Sequence, residues 1–161
     1  MESIKLKRNN LKYISKGVKL PLYLENELYP SIVHIGLGHF HRAHQAFYLD
    51  DLLNRGLCRD RIFEINLIPD SFPLGNILEE QDYLYTLITK NPDAHSDVRI
   101  IASISGYMNA AENKEEALKR LADEKIKLVT LTVTEGGYYF DKGSGKPNLK
   151  EEAVLWDLAN P

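Results

Sequence analysis

The tightest constraint on what this chain can fold into is one short passage. The run Ile32-Val33-His34-Ile35 is stopped by Gly36-Leu37-Gly38, and a helical pattern begins at His41. A β-branched run reads as a buried strand, because branched side chains suit a pleated surface. Beyond the glycines, Ala43, Ala46, Phe47, Leu49, Leu52 and Leu53 recur at helical spacing and form one broad apolar face. Gly56 stands where a left-handed helix cap is wanted. Strand, glycine turn and helix in that order let a pyrophosphate approach backbone N–H groups at a helix start. Gly36 would make the turn, and the absence of a Cβ at Gly38 would leave room for the phosphate. The third glycine of the usual fingerprint is replaced by His41. On spacing alone, a dinucleotide site and an ordinary strand-to-helix turn therefore both stay open.

Further elements follow along the chain. A second strand is expected at Arg61 to Leu67, ended by Pro69, then a short helix around Leu74, Ile77 and Leu78, weakened by Gly75. Strands are predicted at Tyr83 to Thr89 and Val98 to Ser105, separated by the turn Asn91-Pro92-Asp93. Asn113 with Glu116 three residues on reads as a helix cap and its reciprocal acid, opening a helix through Ala117, Leu118 and Leu121. A strand from Leu128 to Val133 closes at Glu135-Gly136-Gly137, and a last helix is expected over Lys150 to Ala159. Residues 1–30 show no sustained period and read as an arm, at most a short hairpin. The whole predicts an α/β fold over residues 31–161, with a mostly parallel sheet covered by helices on both faces.

Composition narrows the function classes. The 161 residues carry 20 Lys plus Arg against 23 Asp plus Glu, so the dense basic footprint of a nucleic-acid binder is absent. No apolar run is long enough for a membrane span or a secretory segment, and one cysteine, Cys58, supplies neither an internal disulfide nor a multi-thiolate metal site. A cytoplasmic protein with neither a nucleic-acid nor a membrane partner is the expectation.

The segment Gly38 to Ala46 holds His39, His41, His44 and Arg42 at a helix start, where the helix dipole favours acids. Cations placed there make sense if an anion is bound. His34 is expected in the core and His39 in solvent. A second reading is a metal site from His41 and His44, three apart on one helix face, helped by His39 or Asp51.

Taken together, Ile32 to Ala46 and the following Tyr48-Leu49-Asp50-Asp51-Leu52 resemble the start of the Rossmann domain in the polyol-specific long-chain dehydrogenase/reductases, the family of the mannitol dehydrogenases. Matching stretches recur in order at Gln81 to Leu87, at Val98 to Ile101 leading to Ser103-Ile104, at Leu131 to Tyr138, and at Asp157 to Pro161. The resemblance implies a nicotinamide cofactor, NAD, with NADP left open, and hydride transfer between a polyol and a ketose without a catalytic metal. It implies cofactor contacts from Ile35, Gly36, Leu37, Gly38, Phe40, His41 and Arg42, with Ser103 and Glu135 in the later motifs.

Where the family places an acidic pair for the adenosine ribose, this chain has Asp70 and Ser71, one acid kept and one lost. Asp70 on its own also reads as a helix cap, and Glu135 as a surface acid beside a glycine turn. The family's catalytic pattern, K-x4-N-x2-H, has no match in the chain, so no catalytic residue is assigned. That trio belongs to a large helical C-terminal domain that the family adds after the point corresponding to Pro161. A polyol or ketose substrate is accordingly expected only with that domain. Ketohexuronate reduction and a non-catalytic nucleotide-binding module are the alternatives. Self-association through apolar surface at Tyr138, Tyr139 and Trp156 is expected as well.

Overall fold

The computed structural model describes residues 4–23, 25–69, 73–133, 139–141 and 143–160. Four parallel strands form the main sheet: β2 (Tyr29–Ile35), β3 (Asp60–Asn66), β6 (Ile104–Asn109) and β7 (Leu128–Leu131), in the order β6-β3-β2-β7. This is the 3-2-1-4 portion of the doubly wound order 3-2-1-4-5-6. Alternation along the strands separates two faces. Ile62 and Ile104 pack with Ala46, Leu49 and Leu53 of α2 (Gln45–Asn54) and with Leu78 of α3 (Leu74–Glu80). On the opposite face Val33 and Ile65 pack with Ala117 of α4 (Lys114–Leu121). The expected helix-covered parallel sheet is thus present.

Helix ends follow the predicted chemistry. Asn113 Oδ1 accepts from the Glu116 N–H at 3.1 Å, although the reciprocal bond is replaced by Asn113 N–H donating to the Asn109 carbonyl. At the end of α2, Gly56 has φ +67°, and the N–H groups of Gly56 and Leu57 close onto the carbonyls of Leu53 and Leu52. That pair of bonds is the glycine-terminated cap anticipated from position 56.

Three expectations change. The helix predicted to run unbroken from His41 is two pieces, α1 (His39–Ala43) and α2, separated at His44 with φ −120° and ψ −87°. The single strand expected at Val98 to Ser105 is two strands in different sheets, β5 (Ser96–Ile101) and β6. The chain leaves one sheet for the other at Ala102-Ser103 because buried partners capture its backbone there. Arg61 Nη2 donates to the carbonyls of Ala102 and Ile104, the Ala102 N–H donates to Asp50 Oδ1, and Ser103 Oγ donates to the Ala46 carbonyl. Burial raises the Asp50 carboxyl above its ordinary range, against the opposing hydrogen bond from Tyr23.

Third, the described residues of the segment 1–30 form neither a loose arm nor a hairpin. A 3₁₀ helix at Arg8–Tyr13 and strand β1 (Val18–Lys19) lie against a second sheet, in which β1 pairs parallel with β5 and β4 (Tyr85–Lys90) pairs antiparallel with it. Leu6, Leu11, Ile14 and Val18 pack on Leu84, Ile100 and Ala102.

By its contacts the chain divides into two compact units, Met1–Leu131 and Thr132–Pro161. The second holds α5 (Glu152–Ala159) and a bridge between Phe140 and Pro147. No helix among the described residues is long and apolar enough to cross a membrane.

Candidate functional site

At the carboxyl end of β2 the Gly36 N–H donates to the Ile65 carbonyl at 3.0 Å, and the Gly38 N–H folds back onto the Gly36 carbonyl at 2.7 Å. Gly36 has φ +114°, a region closed to ordinary side chains, so the turn requires glycine there. Gly38 caps α1 in an extended conformation and contributes no capping side chain, which leaves first-turn N–H groups available to an outside acceptor. A Cβ built on Gly38 would meet only the Gly36 carbonyl oxygen, at 3.9 Å. The space above the turn is open, as a cradle for a diphosphate needs.

The neighbouring side chains separate into surface and core. Phe40 is exposed and stacks on His44 at 5.0 Å, beside the turn and free to lie against a ligand. Arg42 lies over the Tyr85 ring, and its carbonyl accepts from the Tyr85 hydroxyl at 2.6 Å. Leu37 is buried, its N–H held by Asn66 Oδ1 at 2.9 Å, while Ile35 ends β2 in register with Ile65.

Two predicted cofactor contacts move inward. His41 is buried, with Nε2 2.6 Å from Glu64 Oε1, so it faces the sheet and not the ligand space. Ser103 is fully buried at the amino end of β6, where its carbonyl accepts from the Ile62 N–H, at the far end of the strands from the glycine turn. Asp70 and Glu135 lie outside the described residues, as does Tyr138.

Reasoning from sequence also missed two residues. Asn66 holds the glycine turn from β3, and Glu64 lies in register with His34, under the turn. The signal for Glu64 was present: it interrupts the apolar run Ile62-Phe63-Glu64-Ile65.

The metal reading on His41 and His44 fails because the two point apart, one buried and one exposed. Among the described residues the set that does converge is His34, His41 and Glu64. The His34 and His41 rings stack face to face, 3.6 Å apart and 14° from parallel. An imidazole binds a metal in its own plane, and two parallel planes that far apart cannot both contain one ion at the usual ~2.1 Å bond length. The stack favours a proton-holding cluster instead.

Comparison with known proteins agrees with the geometry. The family model for the mannitol dehydrogenase Rossmann domain matches residues 30–158. Mannitol 2-dehydrogenase of Neosartorya fischeri is 35% identical over 98% of this chain, and the polyol:NADP oxidoreductase of Gluconobacter oxydans is 35% identical over 96%. Among solved structures, the ternary complex of Pseudomonas fluorescens mannitol 2-dehydrogenase with NAD and D-mannitol superposes with a TM-score of 0.84 at 37% identity, covering 98% of this chain. The chain spans about a third, 32%, of the length of each of these relatives. A model match over most of its residues places this chain in the mannitol dehydrogenase Rossmann-domain family.

Proposed function

We propose that this chain is the nicotinamide-dinucleotide-binding part of a metal-independent oxidoreductase that transfers hydride between a polyol and a ketose. The observation that carries the proposal is the turn at Gly36–Gly38, with glycine required at one position and open space over the other. A diphosphate seated there accepts from first-turn N–H groups of α1, and Phe40 and Arg42 flank it. The cofactor supplies the hydride chemistry. The residues of this chain bind and orient it, and the proton-transfer groups belong to the K-x4-N-x2-H segment of a further domain.

NAD is the proposed cofactor, on the single acid Asp70 at the ribose position, since a carboxylate repels a 2′-phosphate. The relative named for NADP keeps the phosphorylated form in the comparison. Glu135 is proposed as a cofactor contact on the resemblance of its motif. The polyol or ketose substrate, ketohexuronates as the alternative, and a cytoplasmic location all stay within the proposal.

Titration with NADH, followed by fluorescence and calorimetry, tests it. Saturable one-to-one binding is expected, and no response at high NADH would remove the reading. Parallel titration with NADPH is expected to give the weaker affinity.

In the second unit the exposed side chains of Tyr139 and Trp156 support the proposed self-association, and in the first unit, separately, so do the exposed apolar side chains of β7, Leu128, Val129 and Leu131.

A further inference from the structure

Beneath the glycine turn the sheet carries a polar row that the cofactor reading does not use. Glu64 on β3, His34 on β2 and Thr130 on β7 are in register with one another, one residue short of the carboxyl ends of β2 and β7 at Ile35 and Leu131, while β3 runs on to Asn66. His41 of α1 completes the group by stacking on His34 and placing Nε2 2.6 Å from Glu64 Oε1. The pair is held together as a close polar contact, although neither atom meets hydrogen-bond geometry. Thr130 Oγ1 donates to Gln45 Oε1 at 3.1 Å and is 2.8 Å from His34 Nδ1, which makes His34 Nδ1 the donor to that hydroxyl.

We infer that Glu64 is a positioning residue: through its close buried pairing with His41 it fixes the start of α1, and hence the Gly36–Gly38 turn, in the geometry that receives a dinucleotide. The three polar side chains are buried within 4.8 Å of one another, and His41 lies three residues beyond Gly38. Few contacts could be closer to the turn without touching a ligand.

The cluster is set against added charge. A proton added to His34 would face the His41 ring at stacking distance, and a proton added to Glu64 would alter the oxygen that faces His41 Nε2. Burial, and secondarily His41, push the His34 imidazole down to about 4, and a hydrogen bond with the Gly36 backbone pulls the other way. Burial pushes the Glu64 carboxyl up, opposed by His41 and Arg42. The groups facing Glu64 are therefore His41 and Arg42 from α1, His34 from β2 and Tyr85 from β4. Asp50 of α2 faces Tyr85 in turn.

The test has a part that needs no cofactor. Backbone amides of the unliganded chain are followed by NMR at one pH near neutrality, for their positions and their hydrogen exchange. In Glu64→Gln the Gly36 and Gly38 amides are expected to shift and to exchange faster, while the amides of β5 keep their positions. Glycine amides unmoved in a folded Glu64→Gln would overturn the inference. Glu64→Asp, which keeps the carboxylate, is expected to restore the glycine amides, and a displacement as large as that of Glu64→Gln would also overturn it. Should Glu64→Gln fail to fold, His41→Gln, which removes the other half of the pair, is expected to move the same amides, and unmoved amides there would count equally against it.

The consequence for binding rests on the cofactor reading. Glu64→Gln is expected to weaken NADH about tenfold near neutral pH, and Glu64→Asp to restore it. Equal affinity in Glu64→Gln would refute the positioning role. Absence of NADH binding by the unsubstituted chain would instead refute the cofactor reading, leaving the NMR result to judge Glu64.

Discussion

Replacing Gly38 and Gly36 separately by valine divides what the turn does for folding from what it does for a ligand. Gly38 has φ −95° and ψ 174°, extended backbone that any residue adopts, and the nearest atom to its Cβ would be 3.9 Å away. Valine there loses a tolerable N-cap, costing a fraction of about 1 kcal/mol, and regains about 0.4–1 kcal/mol by restricting the unfolded chain. The net change is within about 1 kcal/mol, or roughly 3 °C in Tm for a chain of this size. Gly36 differs, because φ +114° forces a β-branched residue into a region costing about 1–3 kcal/mol. Gly36→Val is expected to melt about 5–10 °C lower.

Binding should show the opposite contrast. The two methyls of Gly38→Val occupy the open space over the turn, and the NADH affinity of that well-folded variant is expected to fall at least about tenfold, or about 1.4 kcal/mol. Differential scanning calorimetry and NADH titration on the two variants check this directly. Unchanged affinity in Gly38→Val would refute the placement of the diphosphate. A melting loss in Gly38→Val as large as in Gly36→Val would refute the geometric reasoning itself.

Three further outcomes are expected. Gly75→Ala gains about 1 kcal/mol of helix propensity, yet its Cβ would lie 2.0 Å from the Tyr107 ring, so denaturant unfolding should show a net loss of about 1–3 kcal/mol. His34 takes up a proton more readily unfolded, near its ordinary 6.5, than folded, at about 4; the stability it contributes is therefore present above about pH 6.5 and lost as pH falls to about 4. Unfolding curves of the chain and of His34→Gln should diverge across that window by up to about 3 kcal/mol. Leu131→Lys on the exposed apolar strand β7 should lower the sedimentation-measured self-association, and an unaltered association constant would remove β7 from that surface.

The parts of the fold legible in the sequence were those decided within a few residues. Ile32–Ile35 and its glycine turn, the Gly56 cap and the Asn113 cap each rest on local backbone chemistry, and all are observed. What escaped was decided from afar. Val98 to Ser105 reads as one strand until Arg61 and Asp50 capture the backbone at Ala102 and Ile104. The N-terminal segment has no period of its own because its pairing with β5 and its packing on Leu84 and Ile100 are long-range. His41 looked like an anion contact because a helix start rich in cations suggests one, and only the register of β3 shows that Glu64 is its anion.

That pairing bears on why a polar pair sits where an apolar one would fold as well. Breaking a buried ion pair costs several kcal/mol, but replacing both partners by well-packed apolar groups is often neutral. Net stability is therefore a poor reason for Glu64 and His41. Register is a better one. Side chains alternate along β3, so a slip of one residue would carry Glu64 from the face it shares with His34 to the face where Val33, Ile65 and Ala117 pack. There it would meet no partner, at the cost of an unpaired buried carboxylate. The same alternation ties Thr130 of β7 to His34. One row of polar side chains thus discriminates the native pairing of three parallel strands, and His41 transmits that choice to the start of α1. The glycine turn is set by the strands beneath it as well as by its own two glycines.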